Sequence, residues 1–163
     1  MSQAPQTYQQ WLECLLQLEK QPWNRELLTL VRQGRYEGKP SESFLSRVSD
    51  SVSIMLSGCT RRFLRELDRA LSDGEPDMAV LLAKRFRRSV AQCMFYRDLD
   101  FLSGEYIQTL DEGFENQLQA FWKDFLSQLN KSARDSMDPR MEDMALELRR
   151  ISITEPGRSE AKV

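Results

Sequence analysis

Histidine is absent from all 163 residues. That removes the commonest general base, the usual partner of a Ser or Cys nucleophile, and the commonest transition-metal ligand. Cysteine is rare and odd in number. Cys14, Cys59 and Cys93 are widely spaced, form no CxxC pair, and each falls among apolar residues of a helical pattern. They read as reduced, buried small hydrophobes rather than a disulfide frame or a metal site. Gly (7) and Pro (6) are few, whereas an all-β chain needs many turns. No apolar run approaches the roughly 20 residues of a membrane span. The start Met1-Ser2-Gln3-Ala4-Pro5 carries neither a basic nor an apolar export segment, so the expected location is cytoplasmic. Net charge is only −2, so any electrostatic role must come from local asymmetry.

What is present is helical periodicity. Thr7-Tyr8-Gln9-Gln10 has the Thr-x-x-Gln form in which two side chains satisfy free amides at a helix start. Tyr8, Trp11, Leu12, Leu15 and Leu16 follow at helical spacing, and Pro22 ends the run. A short second helix to about residue 33 carries Leu27, Leu28, Leu30 and Val31, with Gly34 as a left-handed stop. Ser41 or Ser43 then caps a long helix to about residue 71, striped by Leu45, Val48, Val52, Cys59, Phe63 and Leu67. Gly58 within it offers a close helix–helix approach. Ser72-Asp73-Gly74-Glu75-Pro76 is the clearest break.

The pattern predicts a fourth helix over about 76–102 and a fifth over about 105–129, the latter with the richest apolar face. Residues 130–136 read as a polar linker, and Asp138-Pro139 starts a short helix to about residue 150. Residues 152–163, charged and almost without apolar content, read as a disordered tail. The expected fold is therefore all-α: one antiparallel helical bundle domain over residues 1–151, with about five main helices, a short C-terminal helix and the tail. No motif in it resembles that of a known family.

Charge is unevenly placed. Residues 59–97 hold nine basic groups against five acidic ones, and residues 98–130 hold seven acidic groups against Lys123 alone. At about 100° per residue, Arg61, Arg65 and Arg69 share one side of the third helix. Lys84, Arg87 and Arg88 lie opposite Leu82, Phe86 and Val90 on the fourth, and an antiparallel hairpin would turn both basic stripes to one side. Phe95, rotated onto the polar side beside Lys84 and Arg88, would complete a base-stacking platform. The plainer alternatives are a solvated surface, local pairs such as Arg62 with Glu66 and Arg65 with Asp68, or pairing with the acidic fifth helix. Glu105, Glu112 and Glu115 give that helix an acidic face suited to a basic partner. A di-metal carboxylate site on it would need Glu-x-x-His pairs. Arg149-Arg150-Ile151-Ser152 has the form of a basophilic kinase site, with Ser152 as acceptor. Trp23 and Tyr36 are the aromatics best placed for exposure.

No phosphate loop, metal spacing or nucleophile–base pair is present, so neither an enzyme nor a cofactor is expected. The leading expectation is a protein–protein interaction module, an adaptor, regulator or small assembly subunit. Its partner is another protein, with a second copy of the chain among the candidates. The competing expectation is a helical accessory subunit that binds nucleic-acid backbone through the basic faces of residues 59–97.

Overall fold

The computed structural model describes residues 3–151 and 153, and among them the fold is an all-α helical bundle. Six helices follow in order: α1 (Tyr8–Lys20), α2 (Arg25–Arg32), α3 (Glu42–Ser72), α4 (Met78–Gln92), α5 (Gly104–Ser136) and α6 (Pro139–Arg149). A short 3₁₀ turn, Phe95–Asp98, lies between α4 and α5. None of these helices is long and apolar enough to cross a membrane.

The helix starts follow from their capping residues. Thr7 Oγ1 accepts from the Gln10 amide at 3.2 Å while Gln10 Oε1 accepts from the Thr7 amide at 3.3 Å, which is the reciprocal cap the sequence predicts. Asn24 caps α2, Ser41 accepts from the Phe44 amide at the start of α3, and Ser103 does the same for Tyr106 in α5. Asp138 caps α6 ahead of Pro139, as expected.

Packing divides into two compact units, and α3 and α5 each contribute to both. The first comprises Met1–Cys59 with Gln92–Phe114. Its centre is an aromatic cluster. Trp11, fully buried, meets Phe44 and Phe101 edge-on at 5.8 and 5.6 Å, and Tyr36 covers Phe44 at 4.4 Å. The indole N–H of Trp11 donates to the Arg35 carbonyl at 2.7 Å, so the ring's one polar atom is satisfied. Tyr36 and Trp23, expected to be exposed, are both half-buried. Gly34 does not adopt the left-handed conformation the sequence suggests. Among the described residues the glycines that do are Gly38 and Gly74. Gly34 is required for space instead, because a Cβ there would stand 2.4 Å from Trp11 Cζ2. Gly58 also admits a close approach, by Pro22 in the turn after α1 rather than by a helix.

The second unit comprises Thr60–Ala91 with the described residues from Glu115 onward. Phe63, Phe86, Trp122 and Phe125 form its core, with Phe63 and Phe86 stacked at 5.0 Å. The apolar side of α6 is buried through Met144, Ala145 and Leu148, and Ile153 is buried as well.

Two boundaries differ from the expectation. The fourth helix stops at Gln92 rather than near residue 102. Continued at about 100° per residue, it would turn Phe95, Leu99 and Leu102 away from the Phe86/Val90 side. The break re-aims them, and all three are buried. Conversely, α5 continues through residues 130–136 to Ser136. Ala133, 2% exposed, extends the stripe of Trp122, Phe125 and Leu129 by one more four-residue step, and one small side chain suffices to seat the last turns. Met137 then takes a positive φ of 57°, and Ser136 Oγ accepts from the Asp138 amide, turning the chain into α6.

In the first unit, Tyr106 donates its hydroxyl to the Leu45 carbonyl. Burial raises its pKa to about 12, the Ser49 backbone opposes the shift by hydrogen bonding, and the Asp50 charge adds to it. Because the folded value lies above the ordinary 10, the native state holds this proton more tightly than the unfolded chain does. Its contribution is complete below pH about 10 and is lost as pH rises through about 12, amounting to about 1–2 kcal/mol after discounting for partial exposure. Urea denaturation at stepped alkaline pH should show this loss in the wild type and not in Tyr106→Phe. Parallel curves for the two proteins would contradict the assignment.

Candidate functional site

The basic segment folds as a hairpin within the second unit. Phe63 stacks on Phe86, and Glu66 receives both Arg62 Nε at 2.7 Å and Arg85 Nη1 at 3.3 Å. Partner numbers rise on α3 as they fall on α4, so the two helices run antiparallel. The connection is closed by Glu75 N–H donating to the Ala70 carbonyl at 2.8 Å, with Gly74 supplying the left-handed residue. One carboxylate pairs with both guanidiniums, offsetting one of their two charges, and leaves the other cations of residues 60–91 aside.

Those others are the residues singled out by rotation. Arg61, Arg65, Arg69, Lys84 and Arg88 are exposed and Arg87 is half-buried. None of the six forms an ion pair among the described residues, and the local Arg65–Asp68 pair does not form. Arg87 Nε is shielded from solvent and has no hydrogen-bond acceptor among them either. On α4, Leu81, Lys84 and Arg88 fall within about 60° of one another, opposite the buried stripe. Leu81 is 49% exposed, Leu64 41% and Met78 38%, so bare apolar side chains share these helices with the cations. Beside Arg65 a groove of about 390 Å³ opens between α3 and α5, lined by Leu64, Leu71, Phe125 and Leu129.

Phe95 does not belong to this surface. It is fully buried, for the reason that α4 ends early, and the proposed stacking platform therefore lacks its aromatic. The acidic residues of α5 also fall differently from one simple face. Glu105 and Glu112 are exposed, Glu112 accepts from Gln108 at 3.4 Å, and Glu115 is half-buried. None of the three pairs with a described cation, whereas Asp111 binds Arg97 at 2.9 Å and the Tyr96 hydroxyl at 2.5 Å. Ser152 lies outside the described residues. Among the described residues no cluster of three or more Cys, Asp or Glu side chains is arranged to hold a metal ion.

A second recess, of about 470 Å³ in the first unit, escapes sequence reasoning because it joins residues 32–36 to residues 98–101. Arg32 meets Asp98 there at 3.5 Å, while Arg35, Tyr36, Asp100 and Phe101 complete the wall. Arginine, carboxylate and aromatic side chains meet there, without a nucleophile set against a base. No sequence signal links the two segments, since neither contains a spaced motif.

No protein-family model, curated protein or solved structure matches the chain.

Proposed function

We propose that this protein is a non-enzymatic interaction module of the cytoplasm, whose α3–α4 hairpin docks an acidic surface of a partner protein. The observation that carries this reading is the set of six cations that form no ion pair among the described residues, Arg61, Arg65, Arg69, Lys84, Arg87 and Arg88. Like charges four residues apart on a helix repel, by a few tenths of a kcal/mol per pair. Arg61/Arg65/Arg69 and Lys84/Arg88 repeat that arrangement although the chain carries more acidic than basic groups overall. An acidic partner would relieve the repulsion and supply acceptors, Arg87 Nε included.

The side-chain types favour protein over nucleic acid. Five of the six cations are arginine, and Leu64, Met78 and Leu81 stand exposed on the same helices. Arginine and methionine are enriched in protein interfaces, where lysine is depleted. Burial of Phe95 removes the base-stacking element on which single-strand binding depended.

The test is co-purification from the native host, with the wild-type chain and a variant in which Arg61, Arg65, Lys84 and Arg88 are all Gln. The partner should survive nuclease treatment, be acidic on its docking face, and bind the variant at least about tenfold more weakly, since steering and pairing across charged interfaces depend on such groups. A captured species that nuclease destroys would replace this reading with nucleic-acid backbone binding, whose affinity falls steeply with salt. Equal capture by both chains would remove the basic face from function altogether.

A further inference from the structure

The sulfur atoms of Cys59 and Cys93 lie 3.7 Å apart, although the two residues are 34 positions apart in the chain. Both side chains are buried and both are free thiols. Cys59 sits on α3, and Cys93 directly follows the end of α4 at Gln92. The residues between them include the whole basic hairpin, Thr60–Ala91, which leaves and rejoins the first unit beside this pair. Both cysteines belong to that first unit, so the pair marks the two ends of the hairpin segment.

We propose that Cys59 and Cys93 form a reversible oxidation site, in which a small peroxide closes a disulfide that clamps the two ends of the hairpin segment. The thiolate of one cysteine attacks a peroxide oxygen. The O–O bond breaks, a sulfenic acid forms, and the departing hydroxide takes up a proton as water. The second thiol then attacks the sulfenic sulfur. The S–S bond forms as the S–O bond breaks, and hydroxide leaves with the thiol proton as a second water. Two thiols are oxidised by two electrons while one peroxide becomes two waters.

Burial sets both rate and selectivity. The Cys93 thiol is held well above its ordinary pKa, first by its hydrogen bond with Cys59 and then by burial. Neither sulfur is therefore a reactive surface thiol, and the first step waits on local opening. Once a sulfenic acid forms on either residue, the other sulfur is already beside it. Cys14, on α1 and likewise buried, serves as the internal comparison.

The experiment treats the full-length, folded chain with hydrogen peroxide, quenches it, and maps cross-linked peptides by mass spectrometry with and without reductant. The expected product is a single intramolecular Cys59–Cys93 cross-link with loss of two hydrogen atoms. It should be reversed by dithiothreitol and should raise the melting temperature by about 5 °C or more, because it closes a long loop in the unfolded chain. In urea the same treatment should give mixed pairings that include Cys14, since loop closure discriminates only weakly between similar lengths. Cross-linking through Cys14 in the folded chain, dimers joined between chains, sulfinic acid at either residue without a cross-link, or a cross-linked form that melts lower would each overturn the proposal. Cys59→Ala and Cys93→Ala should each abolish the product. Should either variant fail to fold, the wild-type comparison between native buffer and urea decides alone.

Discussion

Replacing Trp11 with Ala should cost about 3–5 kcal/mol, the range for removing a large aromatic from a closed core. That is a sizeable part of the roughly 5–15 kcal/mol that holds an ordinary domain together. The ring is fully buried, contacts Phe44 and Phe101 edge-on, and carries a hydrogen bond to the Arg35 carbonyl that no shrunken side chain can make. Gly34→Ala should also destabilise, by about 2–3 kcal/mol, because its new Cβ overlaps Trp11 Cζ2 and Cη2 and the ring has nowhere to go. Gly34 has no positive φ, so alanine is not disfavoured by the φ it must adopt and would by itself stiffen the unfolded chain favourably. The clash alone sets the sign. The two changes should then be non-additive by about 1–2 kcal/mol, since the double variant has no ring left to strike. A residue of strain should remain, because the Val31 carbonyl oxygen lies 2.9 Å from the same Cβ. Urea denaturation of the four proteins checks this. Additivity within about 0.5 kcal/mol would mean that the close approach is not why glycine stands there.

Phe86→Ala should do comparable damage in the second unit, about 3–5 kcal/mol, while Phe86→Leu should cost only about 1–1.5 kcal/mol. Phe86 is 3% exposed and touches Phe63 on α3 together with Phe121 and Trp122 on α5, so a single side chain joins three helices. Truncating it leaves a cavity walled by rigid rings, which collapse poorly. The near-ultraviolet circular dichroism of Trp122 should weaken in parallel with the loss of stability. An alanine variant within about 1 kcal/mol of wild type would show that the stacked cluster does not hold α4 in place.

Much of this architecture is legible in the residues themselves, because the signals are local. The Thr7/Gln10 cap, the Ser41 start and the Asp138-Pro139 start each depend on side chains within four positions of the amides they satisfy. The basic stripes follow from rotation alone. What escaped depends on partners distant in sequence or on a change of phase. Phe95, Leu99 and Leu102 are out of register with Phe86 and Val90, a shift that signals a break in α4 and that a single continuous period conceals. Ala133 is too small to mark residues 130–136 as helix unless the α5 stripe is carried forward to it. Gly34 carries the turn residue's usual signature, and only the Trp11 ring reveals the different cause. The Cys59–Cys93 contact and the recess joining Arg32 to Asp98 arise from chain return, which no window of sequence contains.

On the function proposed above, the basic face of α3 and α4 serves a partner and not the fold. The most direct measurement is the equilibrium stability of the isolated chain with Arg61, Arg65, Lys84 and Arg88 all changed to Gln, compared with wild type at low salt. Removing four like charges that form no ion pair among the described residues relieves repulsion along both helices. The stability should be unchanged or higher by up to about 1 kcal/mol, with the gap closing as salt is added. A loss of more than about 1 kcal/mol would contradict it, for these side chains would then be holding the structure together.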